Sequence, residues 1–467
     1  MRHSSQKVPR VGPLRVIHDC YTDAGCEGRH EEPMEMRKAI GFFSLCFRLC
    51  FGRIIVWSTL LISAGLNLSF GAESLSKSMI FQDDIDFLKD FTNVILLRKG
   101  LAAVAVAPAY QGRVMTSTYE EETGPSFGWI NRSVISQGIR PELERKGTLQ
   151  EHIHVFGGEE RFWMGPEGGQ YALFFEPGAR FDFSDWKTPA AIDTDSYQVV
   201  AQQEDSVSFH HLCNFQNYSG TQFHVGVDRT VSMLEEKDLE VILEQDVPQG
   251  LYFVGYKTVN RVTNRGKDPW VPQTGLLSIW ILGMYNPSPR TTVVIPLQKR
   301  KNMDLRNRVN DEYFGPVPNN FLCVRDDTVF FRGDGSRRGK IGVDAKFSRG
   351  VLGSYDAVSK VLTLVTYNVQ ESPFGYVNSM WNLQDEPYVG DVINAYNDGP
   401  SEQGGAPLGP FYELETSSPA AALGPNEAMQ HTQQTWHIKG PDKQLKVVAK
   451  RLLGVDLSDI EKGFVRE

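Results

Sequence analysis

Beyond residue 72 the chain has almost no cysteine: of its six, Cys20, Cys26, Cys46 and Cys50 precede that point and only Cys213 and Cys323 follow. Two such distant cysteines cannot supply the disulfide framework of a small secreted scaffold. They read as buried thiols or as one pair across the fold. Metal-ligand spacing is missing too. Cys46 and Cys50 have no histidine partners, and His152-x-His154 has no spaced third ligand, whereas a zinc site needs three or four; the expectation is no metal and no cofactor. There is no Gly-x-Ser-x-Gly, so a serine hydrolase has no anchor. The run Gly165-Pro166-Glu167-Gly168-Gly169 follows no parallel strand and opens no helix, which rejects a phosphate cradle. Basic charge is scarce: 48 Lys and Arg face 57 Asp and Glu, and because residues 1–72 carry nine basic and six acidic side chains, the remainder carries net −12. Such a balance excludes nucleic acid as a partner. No Pro- or Ser-rich linker and no solenoid-type repeat of about 20 to 50 residues divides the chain.

One long apolar run is present. Residues 54–72 follow Arg37, Lys38, Arg48 and Arg53 and end in Phe-Gly-Ala, the layout of a secretory leader. Its length fits a start at Met34 or Met36. The alternative is an uncleaved membrane anchor, although Asn67 and several Ser and Gly residues weaken the run as a span. Residues 1–72 are therefore read as an upstream extension plus signal peptide or anchor, and 76–467 as a single domain, secreted or periplasmic, touching a membrane only if that segment stays attached.

About 390 residues then remain, enough to bury roughly three quarters of the surface an unfolded chain exposes. Aromatics at 11% and 43 Gly favour strands and turns. Strand-like runs follow one another at 94–97, 102–107, 113–119, 171–175, 196–202, 206–214, 222–233, 252–263, 276–285, 291–295, 321–325, 328–332, 351–356 and 361–369, separated by Gly, Pro, Asn and Asp clusters. That spacing predicts a mainly β, antiparallel sandwich. Helical patterns are confined to the ends: 83–92, with Ile85, Phe87, Leu88 and Phe91 at helical spacing, and 441–453 and 456–464.

Polar chemistry concentrates in two stretches. Residues 411–438 place Glu413 and Glu415 two apart in a strand-like run, so both carboxylates share one face with Tyr412 and Leu414 on the other. The turn Gly424-Pro425-Asn426-Glu427 then predicts a hairpin whose second strand carries His431, Trp436 and His437. Residues 151–177 hold His152 and His154, whose rings would share a face if the segment is a strand, together with Trp163, a sugar platform or a core side chain, and Glu167 and Glu176. Asn131-Arg132 can grip vicinal hydroxyls or be a plain turn. Asp398 lies in a turn one loop before the paired glutamates. His210, His211 and His224 sit on strands, core or edge positions by default.

The order Asn131-Arg132, His154 with Gly157-Gly158, then Glu415 followed by Pro419, Leu423 and the Gly-Pro-Asn-Glu turn resembles the galactose mutarotase-like superfamily, whose aldose 1-epimerases carry an Asn-Arg pair, a His before two Gly, a second His and a late Glu. GGEERFWMGPEGG and YELETSSPAAALGPNEAMQHTQQTW look more narrowly like uncharacterised secreted bacterial members. The resemblance implies an antiparallel β-supersandwich with a carbohydrate-sized groove. It departs from the epimerases where Val155 and Phe156 separate His154 from the glycine pair, where Asn426 stands in the late turn, and where neither His211 nor His224 matches the second histidine firmly. On this likeness the expected function is carbohydrate binding, with Asn131, Arg132, His152, Trp163, Glu167, Glu413 and Asp398 as binding residues. The alternative is anomer interconversion, with Glu415 as base and His154 as acid. Third comes glycoside cleavage, with Glu167, Glu176 or Asp398 as the partner acid.

Overall fold

The computed structural model describes residues 80–299, 308–325, 327–400 and 406–464; the expected leader lies outside them. Three antiparallel sheets carry the fold. The smallest joins Ile95–Lys99, Ala102–Ala107 and Arg113–Thr118. A ten-stranded sheet runs in the order Leu322–Arg325, Thr328–Arg332, Thr291–Pro296, Val351–Asp356, Val361–Tyr367, Ala428–Lys439, Tyr252–Asn264, Gln222–Met233, Ser206–Gln216, Gln198–Gln202. A five-stranded sheet runs Gly339–Asp344, Asp391–Asn397, Tyr412–Ser417, Ser278–Tyr285, Arg161–Gly165. The two larger sheets pack face to face. Val293 and Ile295 of one meet Ile341, Ile393 and Leu414 of the other, while Val225, Val227 and Val262 meet Phe162, Met164 and Ile281. The expected antiparallel β-sandwich is the observed architecture, and among the described residues no helix is long and apolar enough to cross a membrane.

Helices cover the rims. Phe81–Phe91 buries Phe81, Ile85 and Leu88 along one face. It also buries Asp84, which accepts from Ser126 Oγ and from Arg132 Nη2. At the C-terminus Asp442–Leu452 buries Leu445, Val448 and Ala449 and stops before Gly454, whose φ of 76° is costly for other residues. This helix closes the outer face of the ten-stranded sheet over Trp436. Trp436 lies opposite Gly255 across the strand pair, where an added Cβ would stand 2.3 Å from its ring. Gly255→Ala is expected to lower unfolding free energy by about 1–3 kcal/mol, because a close-packed site with a buried indole cannot yield; chemical denaturation measures it, and an unchanged midpoint would contradict the packing.

Between the sheets runs a polar seam. His431, Gln433, Thr435 and His437 all point inward from Ala428–Lys439 and are fully buried. His437 bridges Thr363 Oγ1 at 2.9 Å and Glu159 Oε1 at 2.8 Å, and Glu159 also accepts from Ser117 Oγ at 2.7 Å. Beside it Glu160 accepts from Arg229 Nη2 at 2.9 Å and from Gln433 Nε2 at 3.0 Å. Burial drives the His431 pKa down to about 3, so this ring is neutral.

Three expectations about elements need correction. The hairpin across 411–438 does not form. Its turn exists, with Glu427 N donating to Gly424 O and Asn426 at φ 65°, but it carries the chain from the five-stranded sheet to the ten-stranded one. Residues 171–175 are not a strand; Ala172 N bonds Gly169 O and Leu173 N bonds Pro166 O, which winds the segment into a buried loop. Nor do His152 and His154 lie on a strand. They come after a short helical turn, and Gly157, at φ 85°, packs against the Trp129 carbonyl where a Cβ would sit 2.2 Å away, turning the chain before Arg161–Gly165 begins.

Candidate functional site

The outer face of the five-stranded sheet is built from alternate residues. With Leu414 turned into the core, Glu413 and Glu415 both project outward, facing Tyr396 and Asn394 on one neighbour and Met284 and Leu282 on the other. Arg161 Nη2 donates to Glu413 Oε1 at 2.5 Å. Glu415 Oε2 accepts from Lys340 Nζ at 3.1 Å and from Trp280 Nε1 at 2.9 Å. Lys340 also lies over the Trp280 ring at 4.6 Å, and Arg161 over Trp163 at 4.7 Å. All of these side chains are buried.

Two loops close over this face. Residues 166–187 and 376–388 are joined by Gln170 Nε2 donating to Gln384 O and by Gln384 N donating back to Gln170 Oε1. Trp186 stacks on Trp381 at 6.0 Å and on Phe174 at 5.7 Å; Phe174 in turn meets Trp163 at 5.2 Å, which meets Trp280 at 5.6 Å. Glu167 enters between these rings, its backbone N–H held by Ser379 Oγ, and keeps part of its surface open to solvent. The resemblance implied an open groove; instead a cavity of about 10 Å³, bounded by Ser278, Trp280, Tyr313, Asp391 and Asn394, holds at most a water. The reason is the two loops, whose aromatic rings fill the space.

Too many carboxylates share this enclosure for all to ionise easily. Burial pushes the Glu167 carboxyl up to about 7, with Lys340 opposing and Glu415 adding to the rise. Burial likewise pushes Glu413 up against the pull of Arg161, with Glu415 again adding. Asp391 rises to about 6 through burial, although Tyr313 and Asn310 bond to it. Burial works against the charge on Lys340, yet Glu415, Glu167 and Glu413 hold its ammonium above the ordinary lysine range. Five polar atoms on or over this face have no hydrogen-bond partner among the described residues: Arg161 Nε, Trp163 Nε1, Trp186 Nε1, Ser278 Oγ and Glu415 Oε1. Trp186 and Trp381 stabilise the Glu167 charge, Trp186 without reaching normal hydrogen-bond geometry.

Of the residues singled out from sequence, Glu413, Glu415, Trp163 and Glu167 come together here. His152 supports the site from behind, its Nδ1 2.8 Å from the Trp186 carbonyl. Asp398 sits at one end of the face, but its oxygens are occupied by Tyr396 Oη at 2.6 Å, Gly409 N at 2.9 Å and the Arg338 guanidinium at 3.6 Å. Asn131 and Arg132 are engaged elsewhere: Asn131 Oδ1 caps a helix by accepting from Val134 N, and Arg132 pairs with Asp84 and covers Phe87. His154 is buried with Nδ1 on Asp193 Oδ2 at 2.8 Å and its ring stacked on Phe156; no hydrogen bond, ion pair or ring contact among the described residues links it to Glu413 or Glu415. His211 stacks on Tyr197, and His224 bonds Asn214. Arg161, Lys340, Trp280, Trp186, Trp381 and Asp391 had no signal of their own in the sequence, except that Arg161 precedes Trp163 at strand spacing.

Fold and site together define a mainly antiparallel β-sandwich with a charged, aromatic-walled outer face on its smaller sheet. The chain belongs to a family of unknown function, DUF6786, whose model matches residues 79–464. No curated protein matches it. Several similar solved structures carry names of the galactose mutarotase-like kind that the sequence motifs resembled. One is a galactose mutarotase-like protein from Lactobacillus casei ATCC 334, 11% identical, covering 74% of this chain and 100% of its own at a TM-score of 0.41. Another is a galactose mutarotase related enzyme from Lactobacillus acidophilus, 9% identical, covering 74% and 97% at 0.39. Also similar is the Slr1438 protein from Synechocystis sp. PCC 6803, 12% identical, covering 75% and 96% at 0.44.

Proposed function

We propose that the outer face of the five-stranded sheet binds a carbohydrate, and that the protein does so outside the cytoplasm, where the leader read at residues 54–72 would deliver it. The observation that carries the binding is the set of buried polar atoms left without partners beside four tryptophans. Leaving a buried donor or acceptor unpaired costs about 1–3 kcal/mol, and a pyranose brings hydroxyls that satisfy both kinds while its apolar face lies on an indole. Entry requires the 376–388 loop to lift from the 166–187 loop, which are joined mainly by the Gln170–Gln384 pair and by ring contacts.

A glycan array followed by tryptophan-fluorescence titration tests the reading. Trp381→Ala, at a partly exposed position, is expected to weaken binding by about tenfold, the value of one stacked ring. Absence of any carbohydrate ligand would overturn the proposal.

A second reading is favoured by the Glu167 carboxyl standing near neutral pH beside Glu415. Proton transfer at an anomeric carbon needs a base for the hydroxyl and an acid for the ring oxygen, each matched to the working pH. Glu415, whose Oε1 has no hydrogen-bond partner among the described residues, can accept the hydroxyl proton; Glu167 suits the acid role better than His154, whose ring is engaged by Asp193. Polarimetry on freshly dissolved hexoses decides it: Glu415→Gln should abolish any rate enhancement, and an unchanged rate would remove Glu415 from the chemistry.

A further inference from the structure

We infer that the site selects its ligand by charge: a sugar bearing a free amine is preferred to its neutral counterpart, and a sugar acid is excluded, with Glu167 as the residue that discriminates. The inference rests on the carbohydrate reading above and adds a ligand class to it.

Charge pairing around the enclosure leaves two acids, Asp391 and Glu167, without a cation of their own among the described residues. Glu413 is matched by Arg161 and Glu415 by Lys340, at 2.5 and 3.1 Å. Asp391 is held by neutral donors, Tyr313 Oη at 2.7 Å and Asn310 Nδ2 at 3.0 Å. Glu167 likewise has no ion-pair partner among the described residues, and like Asp391 it is a residue only partly buried. Its neighbours are Trp186 and Trp381, stacked rings that offer π-faces as well as N–H groups. A carboxylate beside aromatic faces is an environment for an ammonium group, which gains a charge-assisted hydrogen bond from the acid and a quadrupole attraction from the rings.

A uronate, sulfate or phosphate would meet the opposite conditions. Both cations on this face already donate to Glu413 and Glu415, so an added anion would compete with those carboxylates in an enclosure where four carboxyl groups already face two cations, even though Arg161 Nε is left without a partner among the described residues. The upward displacement of the Glu167 carboxyl, caused chiefly by burial and added to by Glu415 against the pull of Lys340, fits a carboxyl group that a ligand cation would help to ionise. The unpartnered Glu415 Oε1 can accept from such an ammonium, while the unpartnered Arg161 Nε, Trp163 Nε1 and Trp186 Nε1 can donate to the hydroxyls of the same sugar.

Calorimetry at pH 7 on the full protein, with hexose, 2-amino-2-deoxyhexose and hexuronic acid in gluco, galacto and manno configurations, separates the possibilities. The expected order is amine tightest by about tenfold or more, the scale of a hydrogen bond to a charged group, then hexose, with the uronate weakest. A uronate that binds as well as the amine, or three forms that bind alike, would overturn the charge selection and leave carbohydrate binding standing. Failure of all nine sugars to bind would overturn both. Glu167→Gln provides the residue-level check: the ratio of amine to hexose affinity should fall to about one, and an undiminished ratio would take Glu167 out of the role.

Discussion

Replacing Arg229 with methionine should lower the unfolding free energy by about 3–5 kcal/mol, the usual cost of stripping one partner from a buried ion pair. Arg229 and Glu160 are both fully inaccessible. The guanidinium donates to Glu160 Oε1 at 2.9 Å, to the Gly112 carbonyl at 3.0 Å and to Asn260 Oδ1 at 2.5 Å. It therefore ties a turn within the three-stranded sheet, two strands of the ten-stranded sheet and the segment leading into the five-stranded sheet to one point. Methionine fills the volume but leaves three acceptors unpaired, and burial already pushes the Glu160 carboxyl up against the opposing charge of Arg229. Adding Glu160→Leu removes the stranded charge, and the double variant should recover at least half of the loss, because apolar replacements of whole buried pairs are often neutral. Urea denaturation reads both. A loss below about 1 kcal/mol for Arg229→Met would show that the seam is not under this constraint.

The same physics explains what the sequence disclosed. Strands such as Ala102–Ala107, Gln222–Met233 and Val351–Asp356 alternate or run apolar and are bounded by turn residues, so their limits are legible. The three strands without a readable pattern, Arg161–Gly165, Gly339–Asp344 and Asp391–Asn397, all belong to the five-stranded sheet. Their outward residues Arg161, Lys340 and Asn394 look like solvent-facing positions, yet all are buried beneath the 166–187 and 376–388 loops. Buried charge erases the contrast on which periodicity depends. Glu413 and Glu415 were readable because their spacing survives inside a strand flanked by Tyr412 and Leu414, while their cations lie about 75 and 250 residues away in sequence and pair only through the sheet. Asn131, Arg132 and His154 illustrate the converse. Short motifs identify residue types, but whether an Asn caps a helix or grips a hydroxyl is decided by the backbone conformation downstream, here the free N–H of Val134 three residues on.

Glu413→Gln should flatten the pH dependence of stability between about pH 6.5 and 8.5. An acid whose folded-state pKa is raised binds its proton more tightly in the native protein than in the unfolded chain, so its contribution is present at low pH and is lost as pH rises from the unfolded value toward the folded one. Glu413, Glu167, rising to about 7, and Asp391, rising to about 6, all have this sign. His431 has the opposite consequence: its pKa is driven down to about 3, so its penalty is incurred as pH falls below about 6.5, where the unfolded ring gains a proton and the buried one does not. The alkaline side of pH 6.5 therefore isolates the carboxylates from the histidine. There each proton that the native cluster still holds and the unfolded chain has lost makes stability fall by about 1.4 kcal/mol per pH unit. The introduced glutamine keeps an oxygen for Arg161 and cannot ionise, so the variant should gain on the parent protein as pH rises, with Glu167 supplying most of the slope that remains. Urea midpoints measured at half-unit steps across the window provide the comparison. Parallel profiles for the two proteins would mean that Glu413 is already ionised at pH 6.5, and that the extra negative charge in the enclosure is borne without taking up a proton there.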